Sequence, residues 1–185
     1  DGLVLTFVAS RHCPRIHCFD VTSRCNALEN TDADGWRGYL ATTAASVVAL
    51  DSCRAASNAR KYAPLYLVCA TAETVKVYED PHLSLTMRKP YSETTSAVVS
   101  FTTPVVPQWN TQESGKYCAV AIAPNLLAVG TEQGVVYVYA FANRVLKPFM
   151  RIPPPPTNSS KVKALELIDQ HLYVGYEQSL CCYDL

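Results

Sequence analysis

The chain has 185 residues, enough for one domain with a sizeable core, and its 16 basic and 16 acidic residues cancel. That balance leaves no electrostatic footprint for nucleic acid or an anionic membrane surface. No stretch approaches the ~18 consecutive apolar residues of a membrane span, so no stable membrane insertion is expected, and no signal peptide is visible. The eight cysteines form no C-x-x-C pair, and a domain of this size needs no disulfide staples. Cys69, Cys118 and Cys181 or Cys182 fall inside strand-like runs, where a thiol packs as a small hydrophobe. An intracellular, cytoplasmic setting is the expectation. Asp1 stands where an initiator Met would be, and strand-like sequence runs to Leu185. The chain is therefore expected to be a piece of a longer protein.

From the N-terminus, residues 3–10 and 15–21 read as a β-hairpin turned through His12, Cys13 and Pro14, since proline fits a turn and not a central strand. Residues 22–31 are expected as an outer strand. Residues 32–43, punctuated by Gly and Asp, read as a connection carrying Trp36. The small apolar run at 45–50 predicts a strand buried on both faces. Residues 53–64 read as a surface insertion, and residues 65–79 as a second hairpin followed by a turn at Asp80-Pro81 and an outer strand at 83–88. Residues 96–106 and 117–122 compete to be the first strand of the next unit, one of them belonging to the long connection that holds Trp109. Residues 125–142 are the clearest hairpin, two apolar runs separated by Thr131-Glu132-Gln133-Gly134, with Gly134 supplying the permissive backbone of the turn. An edge strand containing Pro148 follows at 145–152, then extended polyproline at 153–156, a strand at 162–168 and a last hairpin at 171–184.

These four hairpins align with one another. Cys69, Ser10 and Gly175 fall under Gly130, and Tyr78, Phe19 and Tyr183 fall under Tyr139. The aromatics lie 59, 61 and 44 residues apart, a loose period stretched by insertions. All-β units repeating every ~40 to 50 residues are the mark of propeller blades. The strands read as three, four, four and three per blade, with approximate blades at residues 1–31, 45–92, 96–152 and 162–185. The expected fold is thus all-β: a partial β-propeller of four-stranded antiparallel blades, about two complete and two incomplete, belonging to a larger propeller.

Phe19-Asp20 and Tyr183-Asp184 resemble the Trp-Asp pair that closes the third strand of a blade in the WD-repeat β-propeller family; Tyr78-Glu79 is a more distant form. Thr131-Glu132-Gln133-Gly134 is similar to the Ser/Asp-Gly turn before that pair. The resemblance implies a non-enzymatic scaffold that binds protein partners through its loops, with no cofactor and no small-molecule substrate. Leu127-Ala128-Val129-Gly130 and Leu172-Tyr173-Val174-Gly175 also suit a quinoprotein-type propeller, which would imply an enzyme. A third alternative is a membrane-trafficking propeller that binds phosphoinositides, whose Phe-Arg-Arg-Gly motif is absent here.

The residues offer few chemical constellations. His12-Cys13 and His17-Cys18, with Cys25 beyond, present zinc-ligand types, but alternation sends neighbours in a strand to opposite faces. Turn and edge residues are the better reading. No G-x-S-x-G, H-E-x-x-H, Walker loop or G-x-G-x-x-G is present, so no catalytic residue is assigned. Glu132 and Glu177 occupy equivalent turns, which repetition explains better than acid-base chemistry. Pro153 to Pro156 satisfies P-x-x-P and reads first as a stiff spacer. Tryptophan and arginine dominate binding energy at interfaces, so Trp36, Arg37 and Trp109, all in irregular stretches, are the expected partner-binding residues.

Overall fold

A computed structural model describes residues 5–10, 15–20, 36–41, 46–54, 63–80, 99–102, 115–156 and 161–185. Among them there is no helix, and fourteen strands form four antiparallel sheets of three, four, four and three strands. Among the described residues no strand pairing joins one sheet to another. The chain divides into two units, Asp1–Val47 with Asp80–Ser96, and Val48–Glu79 with Ala97–Leu185.

The first unit holds one sheet in the order β1 (Leu5–Ala9), β2 (Arg15–Asp20), β3 (Trp36–Ala41). Ile16 and Cys18 are wholly buried while Val8 is exposed, so one face points inward. The third strand corrects the sequence reading, which made residues 32–43 a connection; the outer strand expected at 22–31 lies outside the described residues. Gly38 was read as loop punctuation but belongs to an irregularity in the ladder. Cys18 pairs with Gly38 and Phe19 with Trp36, which leaves Arg37 as the extra residue of a bulge. Glycine inside a strand commonly marks such a site.

In the second unit, β4 (Val47–Arg54), β5 (Leu65–Thr71), β6 (Thr74–Glu79) and β7 (Val99–Thr102) form one sheet in chain order. β8 (Tyr117–Ala123), β9 (Leu126–Thr131), β10 (Val136–Ala142) and β11 (Val145–Ile152) form the second. β12 (Ala164–Ile168), β13 (His171–Gly175) and β14 (Leu180–Asp184) form the third. The competition between residues 96–106 and 117–122 is resolved by pairing. Val99–Thr102 adds to β6 as a fourth strand, and Tyr117–Ala123 opens the next sheet. The outer strand expected at 83–88 lies outside the described residues. β4 is not buried on both faces as expected: beyond Val47 its residues are half-buried or exposed.

All four expected hairpins are antiparallel pairs, β1-β2, β5-β6, β9-β10 and β13-β14. Tyr139 pairs with Leu127, Tyr78 with Leu67, Phe19 with Thr6 and Tyr183 with Leu172. Counted from these pairs, the place of Gly130 is held by Ala70, Ala9 and Gly175. The gapless alignment put Cys69 and Ser10 there, and it is one residue out in those two hairpins because their turns differ in length. Turn chemistry explains the shift. The Thr131 hydroxyl accepts from the Val135 N–H at 3.1 Å and donates to its carbonyl at 3.0 Å, with Gly134 in the left-handed region at φ 81°. The Thr71 hydroxyl does the same across a shorter turn, accepting from the Thr74 N–H at 3.0 Å.

The β8–β11 sheet lies between the other two, and its strands alternate cleanly. Val120, Ile122, Leu127, Val129, Tyr137, Tyr139 and Phe141 pack with Tyr66, Val68, Val75 and Val77 of the β4–β7 sheet. Ala119, Ala121, Ala128, Val136 and Val138 pack with Val162, Leu165, Leu167, Leu172 and Val174 on the other side. Each fully buried Val, Leu or Phe is worth about 1.5–3 kcal/mol, and these two layers hold the unit together.

Candidate binding cleft

The first strands of the three sheets in the second unit converge on one cleft of about 780 Å³. Its walls come from Asp51 to Cys53 of β4, the end of β8 with its Pro124-Asn125 turn, and Glu166 with the Asp169-Gln170 turn after β12. Apolar floor is supplied by Ile122, Leu126, Leu167 and Leu185. Asp169 sits at φ 54°, a left-handed conformation that aspartate tolerates, and this lets β12 reverse into β13 within two residues.

Asp51 fixes the geometry. Its Oδ2 accepts from the Ile122 N–H at 2.7 Å and its Oδ1 from the Ser52 N–H at 2.7 Å. The first bond satisfies an amide on the free edge of β8 and ties two sheets together. Burial pushes the Asp51 carboxyl above its ordinary value, the two amides oppose that, and the charge of Glu166 adds to the rise. The Cys53 thiol beside it is pushed up to about 12 by burial and by Asp51, so it is not a nucleophile at neutral pH. Burial likewise pushes Cys69 and Cys118 to about 11, and the Cys118 thiol donates to the Val162 carbonyl at 3.0 Å. Chemically, the cleft offers carboxylate acceptors over an apolar floor.

The residues expected to bind a partner fall elsewhere. Trp36 and Arg37 lie on β3 of the first unit, Trp36 opposite Phe19 and Arg37 at the bulge. Trp109 lies outside the described residues. Glu132 and Glu177 are exposed and stand at the ends of β9 and β13 remote from the cleft, where Glu132 pairs with Lys161 at 3.1 Å. His17 is half-buried and Cys18 buried on adjacent positions of β2; His12, Cys13 and Cys25 lie outside the described residues. Among the described residues no group of three or more His, Cys, Asp or Glu is placed to hold a metal, the six described cysteines form no disulfide, and no helix is long and apolar enough to cross a membrane.

Sequence reading missed Asp51, Glu166 and Asp169 because they come from stretches far apart in the chain. The available signal was an acidic residue directly after each of two strand-like runs in the sequence, Asp51 after the run at 45–50 and Asp169 after the run at 162–168.

No protein-family model matches the chain, and no curated protein matches it. Among solved structures it is similar to the computationally designed Ika8 protein, with a TM-score of 0.58 and 16% identity over 99% of this chain and 45% of that one. It is also similar to the computationally designed Ika4 protein, with a TM-score of 0.53 and 17% identity over 100% of this chain and 86% of that one. The chain thus spans less than half the length of Ika8. At such identities the likeness concerns the fold alone.

Proposed function

We infer that the chain is part of a WD-like β-propeller within a larger intracellular protein, acting as a non-enzymatic platform for a protein partner. The sheet series of three, four, four and three strands and the repeated aromatic pairing across each hairpin support the propeller reading. The observation that carries the binding reading is the cleft, where the first strands of three stacked sheets bring Asp51, Glu166 and Asp169 around an apolar floor. Such a surface suits a peptide segment that carries a Lys or Arg among apolar residues, because a half-buried carboxylate at Asp51 and exposed ones at Glu166 and Asp169 beside apolar side chains favour a cationic partner. The raised thiols at Cys53, Cys69 and Cys118 argue for packing over covalent chemistry.

The test is a peptide array probed with the full chain. Basic-apolar peptides should be retained, and Glu166→Lys with Asp169→Asn should weaken them at least tenfold, about 1.4 kcal/mol. Retention unchanged by that double variant removes the cleft. Replacing Trp36, Arg37 and Trp109 together by alanine asks whether the interface extends to them, and turnover of a small molecule by the chain would replace the platform reading with an enzymatic one.

A further inference from the structure

We propose that Pro153 to Pro156 is a docking segment for a partner domain with an aromatic-lined, polyproline-reading groove, and that Pro153 and Pro156 are the two residues it reads. The inference goes beyond the platform reading, and none of the four prolines lines the cleft.

The sequence alone dictates the conformation. Proline holds φ at about −65°, and a residue followed by proline is pushed out of the helical region into the extended one. Pro153, Pro154 and Pro155 meet both conditions, so they form a left-handed polyproline helix. Pro156 is followed by Thr157, which leaves it free to turn, and a turn stands there. A polyproline helix has three residues per turn and rises ~3.1 Å per residue, which sets the rings of Pro153 and Pro156 on one edge about 9 Å apart.

Exposure follows that edge. Pro153 and Pro156 are exposed, while Pro154 and Pro155 are half-buried. A stiff spacer accounts for four prolines but is indifferent to which edge faces outward, and here it is the edge that carries two rings. No end of the chain creates this exposure: the segment joins β11 to β12, and the sheets to which both strands belong are present.

The segment is also held at both ends. Ile152 before it is buried opposite Val136, and Val162 beyond it is wholly buried, its N–H donating to the Thr131 carbonyl at 3.2 Å. Prolines fixed by their own rings and anchored on both sides lose little freedom when a partner arrives, which favours binding. The chemistry of the partner follows from what the segment offers. Its rings are apolar and its backbone has carbonyls but no N–H, so the fitting surface has flat apolar faces for the rings and hydrogen-bond donors for the carbonyls. Tyrosine and tryptophan supply both.

The probe is a set of purified SH3, WW and EVH1 domains, each isotope-labelled and titrated with the unlabelled full chain. At least one should bind at submillimolar concentration with shifts at its groove aromatics, and a peptide of residues 151–158 should displace the chain. Pro153→Ala with Pro156→Ala should weaken that binding at least tenfold while the chain keeps a cooperative urea transition. Pro154→Ala with Pro155→Ala leaves the outward pair in place and should weaken it less. Glu166→Lys with Asp169→Asn, which tests the cleft, should leave it as it was. No groove shifts from any domain at millimolar chain, binding undiminished by loss of the outward pair, equal loss in the two proline double variants, or loss in the cleft variant would each overturn the proposal.

Discussion

Toward the β4–β7 sheet, the central β8–β11 sheet presents Tyr117, Tyr137, Tyr139 and Phe141. Toward β12–β14 it presents Ala119, Ala121, Ala128 and Gly130. The same four strands build both faces, so the difference comes from side-chain choice at alternating positions. The large face gains its stability from area and aromatic geometry. Tyr66 of β5 and Phe141 of β10 meet edge to face, ring centres 4.9 Å apart at 81°. The small face gains from closeness of fit. A Cβ on Gly130 would stand 2.7 Å from Val162 Cγ1, and the same interface is stitched by the Tyr176 hydroxyl donating to the Gly134 carbonyl at 3.2 Å and by the Val162 N–H donating to the Thr131 carbonyl. Large faces should therefore suffer from truncation, and small faces from addition.

The largest effect is expected from Phe141→Ala. It removes a buried ring from the aromatic layer and leaves a cavity, a loss of about 3–5 kcal/mol in a urea unfolding experiment. Gly130→Ala and Ala121→Leu should come next, each at about 1–3 kcal/mol, because added atoms meet backbone-proximal carbons of Val162 or a closely packed neighbour. If Ala121→Leu is neutral while Phe141→Ala is costly, the interface with β12–β14 has room to give, and the contrast between the two faces is one of size alone. If both truncation and addition are cheap, the contrast fails.

How much of this was readable in the sequence depended on how local the cause was. The hairpins were legible because β-branched and aromatic runs flank turn residues whose chemistry is carried within a few positions, as at Thr131 to Gly134. The exact register was not, since the Thr71 turn is shorter than the Thr131 turn and a gapless alignment cannot see it. β3 was missed because Gly38, inside a strand at a bulge, looks like Gly in a loop. The exposure of β4 was missed because an apolar run does not report how many faces are covered. The cleft was missed for the most general reason: Asp51 and Ile122 are 71 positions apart, and only the stacking of sheets brings them to 2.7 Å.

Asp51 also separates the two interfaces by pH, since it ties β4 to β8 on the aromatic side and no carboxylate is bonded across the other interface to a backbone amide among the described residues. Its carboxyl is raised from 3.8, chiefly by burial, against the pull of the Ile122 and Ser52 amides, with Glu166 of β12 as the facing charge. The folded chain therefore binds the proton more tightly than the unfolded chain. Stability from this group is greatest at low pH, falls as pH rises from 3.8 through the raised value, and is level above it. Asp51→Asn keeps one acceptor for the Ile122 amide but cannot titrate. Its stability relative to the parent should rise with pH across that window, whatever constant offset comes from the lost Ser52 bond. Urea midpoints of parent and variant at pH 4 and pH 7 measure the slope of that difference and cancel the titration of every other carboxylate they share. Glu166→Gln placed in both should lessen the slope slightly, because it removes the neighbouring charge and leaves the larger part due to burial. A difference that falls with pH would mean that the two amides outweigh burial, and the β4 tie would then be strongest with Asp51 ionised.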